Sequence, residues 1–463
     1  MIKLYRDKIR SYFDEHFDEV IADMKEIMSI DSTYQKPVEG KPFGEGSAKA
    51  LKWGADFGKK LGMNVKNFDN YAVSMDFSDG EPVLGILSHL DVVPAGDGWN
   101  YPPFDCTVDG DNIYGRGAID DKGPSVAVLY AVKCIKDLGI PIKKNFRVIF
   151  GGNEEQGCTD LQYYEKLEPF PPMVFTPDGT FPVLNCEKGM MHLCFSGEGK
   201  FSNTDGFKVK SLKGGTVINA VPDKTVLRCE GISADKLADV FESLDIDCDI
   251  DITEEQEELE VTLTGKSAHG SRPDLGINAV TAAVKLLAAL DCQKAKQIES
   301  LFPHGEYNGK SAGMGFSDDI SGEMTCALTL LAVDENKISG GIDIRFAIDK
   351  TLSEITDIVT ADFDSIGMTA DNIEGMEPHY VSEDSPFVRA LLEVYKDVKG
   401  EEGRCVSEGG ITYVHNTEGG VAFGAEFPDE NNNMHGADEH ISIQTLKYNL
   451  NMYANAIVKL CGE

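Results

Sequence analysis

The sequence is poor in basic residues and has no long apolar run. Its 43 lysines and arginines stand against 78 aspartates and glutamates, which gives a formal net charge of −35 at pH 7. Such a charge repels nucleic acid and anionic membrane surfaces, so we expect neither as a partner. No apolar stretch approaches the roughly 18 residues that indicate a membrane span, and the N-terminal residues become polar too early for a signal peptide.

Cysteine is present but not in any pattern that indicates disulfides or thiolate metal sites. The eleven cysteines are scattered, odd in number, and form no Cys-x-x-Cys pair. In a chain of this length they are typical of reduced, mostly buried thiols, so we expect a cytoplasmic protein. With 463 residues, 41% of them hydrophobic, the chain can form two or three globular domains.

Three predicted strands are each followed by residues that could bind a metal ion. The strands and these residues are Val83–Leu87 with His89 and Asp91, Arg147–Phe150 with Glu154 and Glu155, and Met173–Thr176 with Asp178. Side chains alternate along a strand, so His89 and Asp91 share one face. Because sites in open α/β sheets form at the carboxyl ends of strands, we expect these residues to lie at one edge.

Two further motifs complete a possible metal site. Asp120-Asp121 lies between glycines ahead of a helix predicted at Val126–Leu138, where it could cap the helix or bind metal. His435 follows Asn433-Met434 near the end of the chain. The five candidate ligands, two imidazoles and three carboxylates, are His89, Asp120, Glu155, Asp178 and His435. One bridging carboxylate would let this set hold two divalent ions, and nitrogen and oxygen ligands suit zinc. Glu154 would then act as general base.

The middle of the chain differs from its flanks, and a helix precedes the first strand. Apolar residues at helical spacing predict one amphipathic helix from Lys8 to Met28. Strand-like runs alternate with helices between Glu187 and Ser382. We therefore expect a catalytic domain formed by 1–186 and 383–463, with an inserted α+β lid domain at 187–382. The insertion is about twice as long as one ferredoxin-like split βαβ unit, which indicates a duplication.

Six motifs, in order, resemble those of the M20 metallopeptidase family, and most closely its PepV-like dipeptidases. They are Ser88-His89-Leu90-Asp91-Val92-Val93-Pro94, Gly117-Ala118-Ile119-Asp120-Asp121-Lys122-Gly123, Glu154-Glu155-Gln156-Gly157, Pro177-Asp178-Gly179, Ser267-Ala268-His269-Gly270 and Asn433-Met434-His435. The resemblance covers almost the whole chain. It implies a mixed-sheet α/β zinc-peptidase domain with an inserted lid, and hydrolysis of dipeptides with two Zn²⁺ ions, Mn²⁺ and Co²⁺ being alternatives.

The resemblance also implies individual roles in the catalytic domain. One zinc ion would bind His89 and Asp178, the other Glu155 and His435, and Asp120 would bridge them. Asp91 would orient His89, and Glu154 would be the base.

Further roles follow for the lid and a nearby loop. His269 and Asn219 would bind the tetrahedral oxyanion, Arg345 would hold the substrate carboxylate, and Gly409-Gly410 would face the substrate. The chain departs from these dipeptidases at Val414-His415, where a small residue and an arginine are more usual. It also departs at Asn153 and Gln156, and both departures bear on substrate preference.

Three functions remain open on this basis: a dipeptidase, a deacylase or desuccinylase of N-acyl amino acids, and a catalytically inactive binding protein. The acidic charge favours the first, because a dipeptide keeps its ammonium group. The intact ligand set disfavours the last. Many members of this family dimerise through a smaller lid, and the lid histidine then reaches the active site of the partner. Here we expect a monomer, in which the second half of the lid takes the place of that partner and His269 reaches the active site of its own chain. Alternatively, the extra length of the lid has no such role, and the chain dimerises through the lid.

Overall fold

The computed structural model describes residues 2–255, 258–334 and 336–462. The helices are α1 (Ile2–Glu15), α2 (Phe17–Met28), α3 (Glu45–Lys60), α4 (Lys122–Asp137), α5 (Thr159–Glu165), α6 (Ala234–Glu242), α7 (Ala279–Ala289), α8 (Gln293–Leu301), α9 (Leu352–Ser365), α10 (Pro386–Lys399) and α11 (Ile443–Cys461). Short 3₁₀ helices lie at Glu154–Gln156, Pro273–Leu275 and Tyr413–Asn416.

The strands, in chain order, are β1 (Asn64–Phe68), β2 (Ala72–Asp76), β3 (Leu84–His89), β4 (Thr107–Asp109), β5 (Asn112–Tyr114), β6 (Phe146–Gly151), β7 (Met173–Thr176), β8 (Val183–Glu187), β9 (Gly189–Glu198), β10 (Lys208–Gly214), β11 (Ala220–Val221), β12 (Lys224–Glu230), β13 (Asp249–Glu255), β14 (Glu258–Thr264), β15 (Ala268–His269), β16 (Ser317–Asp318), β17 (Gly322–Glu323), β18 (Thr325–Asp334), β19 (Lys337–Phe346), β20 (Thr369–Met376), β21 (His379–Tyr380), β22 (Cys405–Glu408), β23 (Val421–Ala422) and β24 (His440–Ser442).

The chain forms two compact units. The first comprises Met1–Asn185, Tyr380–Val406 and Ile411–Glu463, and the second comprises Cys186–His379 and Ser407–Gly410. The first unit therefore contains both ends of the chain, and the second is an insertion to which a four-residue segment from far along the sequence is added.

The first unit is built around a mixed sheet. In the described residues its strand order is β1-β2-β6-β3-β7-β23-β8-β21, with β22 paired to β8. Strand β3 pairs in parallel with β6 and with β7, and β23 pairs in parallel with β7, whereas β1 and β2 are antiparallel. The carboxyl ends of β3, β6 and β7 consequently meet at one edge of the sheet.

Helices cover this sheet through buried apolar faces. Nearly every residue of α4 is buried, and α11 packs against it with buried residues along most of its length. A helix that is buried nearly all round belongs in a core, and α4 is buried from Lys122, its first residue, to Val132. The amino end of α4 directly follows Asp120 and Asp121.

The helix predicted from Lys8 to Met28 is wrong in one respect, because it is broken at His16. The His16 backbone leaves helical geometry, with φ −109° and ψ 13°, and α2 begins at the next residue. Its Nδ1 atom lies 2.8 Å from the carbonyl oxygen of Tyr12, which its own backbone N–H also contacts at 3.0 Å. The imidazole thus competes for the acceptor that the helix backbone uses.

A small sheet in the first unit connects distant parts of the chain. Strand β5 pairs with β4 and with β24, in the order β24-β5-β4. In this ladder Tyr114 lies opposite His440, and the pairing extends to the N–H of Gly115, which donates to the carbonyl oxygen of Glu439 at 2.9 Å. The turns that contain Asp120 and His435 are therefore attached to adjacent strands.

The second unit contains an eight-stranded antiparallel sheet with the order β13-β14-β12-β10-β18-β19-β9-β20 in the described residues. The half β18-β19-β9-β20 has the spatial order 2-3-1-4 of a split βαβ unit, with α9 between β19 and β20. The half β13-β14-β12-β10 has the same spatial order if β12, β13 and β14 are counted as strands 1, 2 and 3. Strand β10, which comes before them in the sequence, then takes the fourth position, and α6 lies between β12 and β13. The predicted mixed α/β catalytic fold with an inserted α+β lid is confirmed, and its duplicated form is visible as one continuous sheet.

None of the helices in the described residues is long and apolar enough to cross a membrane.

Candidate metal centre

The predicted ligands lie where the parallel strands end. His89 is the last residue of β3 and pairs in register with Gly151, the last residue of β6. The chain leaves β6 into the short 3₁₀ helix that carries Glu154 and Glu155, and it leaves β7 two residues before Asp178. The adjacent parallel strands bring these side chains to one edge without any need for sequence proximity.

Two groups of three ligands share one carboxylate. Ligand atoms of His89, Asp120 and Asp178 all lie within 4.8 Å of one another, and so do those of Asp120, Glu155 and His435. The Nε2 atom of His89 lies 3.0 Å from Oδ1 of Asp120 and 3.7 Å from Oδ2 of Asp178. On the other side, Nε2 of His435 lies 2.7 Å from Oδ2 of Asp120 and 3.4 Å from Oε1 of Glu155. Asp120 thus directs one oxygen toward each imidazole.

Buried ligand atoms without hydrogen bonds indicate that this donor set fits divalent metal ions. Among the described residues, Nε2 of His89 and Oε1 of Glu155 are buried and make no hydrogen bond of acceptable geometry. Unsatisfied buried polar atoms are costly and rare. The site also places five carboxyl groups, those of Asp91, Asp120, Glu154, Glu155 and Asp178, around two imidazoles. In the described part of the chain, no lysine or arginine forms an ion pair with them. Cations would neutralise this charge.

Asp91 connects His89 to the loop of Glu154. Its carbonyl oxygen lies 3.1 Å from Nδ1 of His89, whereas its Oδ1 lies 3.5 Å away. Its two carboxylate oxygens accept hydrogen bonds from the backbone N–H groups of Glu154 and Glu155, at 3.1 and 3.2 Å. The Nδ1 contact directs the Nε2 atom of His89 toward Asp120, as metal-binding histidines require.

Burial sets the protonation of the carboxyl groups. Burial raises the pKa of Glu154 well above its ordinary value, with the neighbouring carboxylates of Asp178 and Glu155 adding to the effect. Burial likewise raises the pKa of Asp178. Burial opposes ionisation of Asp120 as well, but the imidazoles of His435, which is hydrogen-bonded to it, and of His89 nearby hold its pKa below the usual range. A carboxyl group with a raised pKa, beside carboxylates suited to metal, is a reasonable proton acceptor.

A buried pair, Asp160 and Tyr413, supports the loop of Glu154, and no sequence motif indicates it. Asp160 accepts hydrogen bonds from the backbone N–H groups of Gly152 and Asn153, at 2.7 and 2.8 Å, and from the hydroxyl of Tyr413. The Tyr413 ring meets His89 edge to face, with centroids 5.9 Å apart. A Cβ at Gly151 would stand 2.0 Å from the Tyr413 hydroxyl oxygen, so this close approach requires glycine there.

The second unit brings together the predicted oxyanion pair. Strands β11 and β15 place Ala220 opposite His269, and the carbonyl of the preceding Asn219 accepts the N–H of Gly270 at 2.7 Å. The backbone N–H of Ser271 donates to Nδ1 of His269 at 3.3 Å. Nδ1 also lies 2.7 Å from Oγ of Ser271, whose hydroxyl can donate to it; with Nδ1 as the acceptor, the neutral ring carries its proton on Nε2.

Arg345 is held rigidly beside this pair. Its Nε and Nη2 atoms donate to the two oxygens of Asp343 at 2.8 and 2.9 Å, and its Nη1 donates to the carbonyl oxygen of Gly409 at 2.9 Å. His192 lies 3.0 Å from the same carboxylate. These bonds use three of the five N–H groups of the guanidinium, leaving two donors. Sequence reasoning identified Arg345 but missed Asp343, although the Asp-x-Arg spacing on one strand face was a usable signal.

Comparison with known proteins places this architecture among peptidases. Residues 85–459 match the family model described as "Peptidase family M20/M25/M40". The chain is 33% identical over 454 residues to "Putative dipeptidase YtjP" of Bacillus subtilis (strain 168), covering 96% of this chain and 97% of that one. Human carnosine dipeptidase 1 has a similar fold, with a TM-score of 0.63, 16% identity and 99% of both chains covered. Dug1p of Saccharomyces cerevisiae gives a TM-score of 0.60, with 14% identity and 98% of both chains covered.

Proposed function

The chain belongs to peptidase family M20/M25/M40, and we propose that it hydrolyses the peptide bond of dipeptides that have a free C-terminal carboxylate. The relatives named as dipeptidases support the substrate class. The observation that carries the proposal is the pair of ligand groups joined by Asp120, with the buried carboxyl group of Glu154 close to His89, Asp178 and Glu155. The proposed cofactor is two Zn²⁺ ions, with Mn²⁺ or Co²⁺ as alternatives, because the ligands are nitrogen and oxygen atoms.

The proposed ligands divide as the geometry suggests. His89 and Asp178 would hold one ion, Glu155 and His435 would hold the other, and Asp120 would contribute one oxygen to each. When bound, the ions would polarise the scissile carbonyl and make a water molecule more acidic.

Glu154 is the proposed base. Its carboxyl group would take a proton from the attacking water and transfer it to the leaving amine, because burial gives it a raised pKa. Asp91 fixes the position of this side chain through the backbone N–H of Glu154.

The second unit would supply the groups that bind substrate. Nε2–H of His269 and the amide of Asn219 would donate to the oxygen of the scissile carbonyl as charge develops there. The two remaining donors of Arg345 would bind the substrate carboxylate, and Gly409-Gly410 would lie beside it. The pairing of Arg345 with Asp343 keeps the guanidinium oriented before substrate arrives.

Metal analysis tests the cofactor. Purified protein should contain two divalent ions, chelation should abolish hydrolysis, and Zn²⁺, Co²⁺ or Mn²⁺ should restore it. Full activity in metal-free protein would refute the proposal.

A substrate panel tests the reaction. Dipeptides should be hydrolysed, whereas the same dipeptides with an amidated C-terminus should be poor substrates. Arg345→Lys should raise KM for the free acids without a comparable effect on the amides, and Arg228→Lys, on an exposed ion pair of the same sheet, should behave as wild type. Preferential hydrolysis of N-acetyl or N-succinyl amino acids would identify a deacylase instead. Bound metal without hydrolysis of either class would indicate a binding protein.

We further propose that a single chain is active and works in the cytoplasm.

A further inference from the structure

Arg116 and Glu439 form a fully buried ion pair close to the metal ligands. Their side chains are 1% and 0% exposed, and Nη1 of Arg116 lies 2.5 Å from Oε2 of Glu439. They are more than three hundred residues apart in sequence, and the ladder between β5 and β24 brings them together. Neither residue has a role in the chemistry described above.

Glu439 holds the turn that carries Asp120. Its Oε1 atom accepts hydrogen bonds from the backbone N–H groups of Gly117, Ile119 and Asp120, at 2.9, 3.2 and 3.4 Å. Backbone N–H groups buried in a turn need an acceptor. One oxygen therefore fixes the backbone on which the shared carboxylate is mounted.

Arg116 contacts the segment that follows His89 and the loop that carries His435. Its Nη2 atom lies 3.3 Å from the carbonyl oxygens of Pro94 and Ala95, in the loop that follows His89, and 3.3 Å from the carbonyl oxygen of His435. The Trp99 ring packs 5.2 Å from its guanidinium carbon. One planar side chain thus contacts both loops at once.

The His435 loop needs such support. Three of its residues that are not glycine, Asn433, His435 and Asp438, have positive φ angles between 53° and 61°. This region of φ is disfavoured for residues other than glycine, so the surrounding structure must select this conformation.

We propose that Arg116 and Glu439 are positioning residues that set the placement of His89, Asp120 and His435 relative to one another, and hence the affinity for the second metal ion and the geometry of both. A buried ion pair contributes little net stability compared with apolar side chains of similar size. What apolar side chains could not supply is the set of hydrogen bonds to the turn of Asp120, the loop of His435 and the segment that follows His89. This inference rests on the proposed metal sites.

The test uses Co²⁺ binding to the full chain, measured by competition with a chromophoric chelator and by visible absorption. Arg116→Gln and Glu439→Gln should each weaken binding of at least one ion by roughly 10–100-fold and alter the cobalt spectrum, as loss of partners around metal ligands does. The double variant should lose no more than the worse single variant, because the pair acts as a unit.

Arg147→Gln is the matched control. Arg147 is also largely buried and forms a two-point ion pair with Asp76, but it lies at the opposite end of β6 from the ligands. This variant should lower the unfolding temperature of metal-free protein yet leave Co²⁺ affinity within about twofold of wild type. Arg116→Lys keeps the charge without the planar fork, and it should weaken binding severalfold, which provides a measurement if Arg116→Gln does not fold.

The outcomes separate the two proposals. If wild-type protein fails to bind two Co²⁺ ions, both the proposed function and this inference are wrong. If wild-type protein binds two ions and the Arg116 and Glu439 variants bind them with wild-type affinity and spectrum, only the inference is overturned. The same holds if Arg147→Gln loses as much affinity as they do.

Discussion

Oδ1 of Asp91 accepts a hydrogen bond from the backbone N–H of Glu154, 3.1 Å long, while the carbonyl oxygen of Asp91 contacts Nδ1 of His89 at the same distance. One residue therefore positions a candidate metal ligand through its backbone and the candidate base through its side chain. The orientation of the imidazole and the position of the base both depend on Asp91, and a change of its side chain should act directly on the base.

Glu154→Gln should retain two metal ions and lower kcat by about 10²–10⁴-fold or more, because an amide cannot accept the proton of the attacking water. Metal content and steady-state kinetics measure this. Glu165→Gln, at an exposed position at the end of α5, is the control and should behave as wild type. Near-normal turnover by Glu154→Gln would show that another residue is the base.

Asp91→Asn should lower kcat by about 10–100-fold with a smaller change in KM. The side chain of asparagine has one oxygen that accepts and one NH2 group that only donates. It can therefore accept from at most one of the backbone N–H groups of Glu154 and Glu155, and at least one of the two hydrogen bonds is lost. Kinetics with a single dipeptide, together with metal content, would reveal the effect. Asp97→Asn, in the exposed loop that follows, serves as the control. A wild-type kcat for Asp91→Asn would mean that this connection has no role in catalysis.

Asp343 should make the folded chain sensitive to acid. Burial opposes its ionisation, but His192 and Arg345 lower its pKa to about 2. Because this pKa is below the value in the unfolded chain, the stabilisation is complete above about pH 4 and is lost as the pH falls toward 2, and it amounts to about 2 kcal/mol.

Urea unfolding of the full chain between pH 5 and pH 2.5 tests this effect. Wild-type protein should lose more free energy of unfolding over that range than Asp343→Asn does, whatever their difference at pH 5. Equal losses would show that the pair does not contribute as described.

Mixing inactive chains would reveal whether each chain uses its own His269. We expect no recovery of activity when Glu154→Gln and His269→Ala proteins are mixed, and light scattering should report a monomer. Recovery of part of the wild-type rate would mean that His269 acts on a partner chain. Activity of mixed Glu154→Gln and Glu165→Gln proteins gives the reference for simple dilution.

The sequence predicted those site residues whose position follows from strand geometry. His89, Glu154, Glu155 and Asp178 each follow an apolar strand, and parallel strands end at a common edge, so their proximity could be deduced without coordinates. The inserted lid was also foreseeable, because its length and alternating elements differ from the flanks.

What could not be predicted depends on contacts between distant residues that have no local signature. Glu439 meets Arg116 only because β24 pairs with β5, and Asp160 meets Tyr413 across 253 residues. The break at His16 has no signature in the apolar pattern either, since apolar residues recur at helical spacing on both sides of it.

The two halves of the eight-stranded sheet join where Ser211–Gly214 of β10 pairs with Leu331–Asp334 of β18. Between separate chains, such a junction would form in a second-order reaction and would come apart on dilution. Within one chain its formation is first order, so the fraction joined does not depend on how much protein a cell makes. The continuous sheet thus persists at any protein concentration, because dilution cannot separate two halves of one chain.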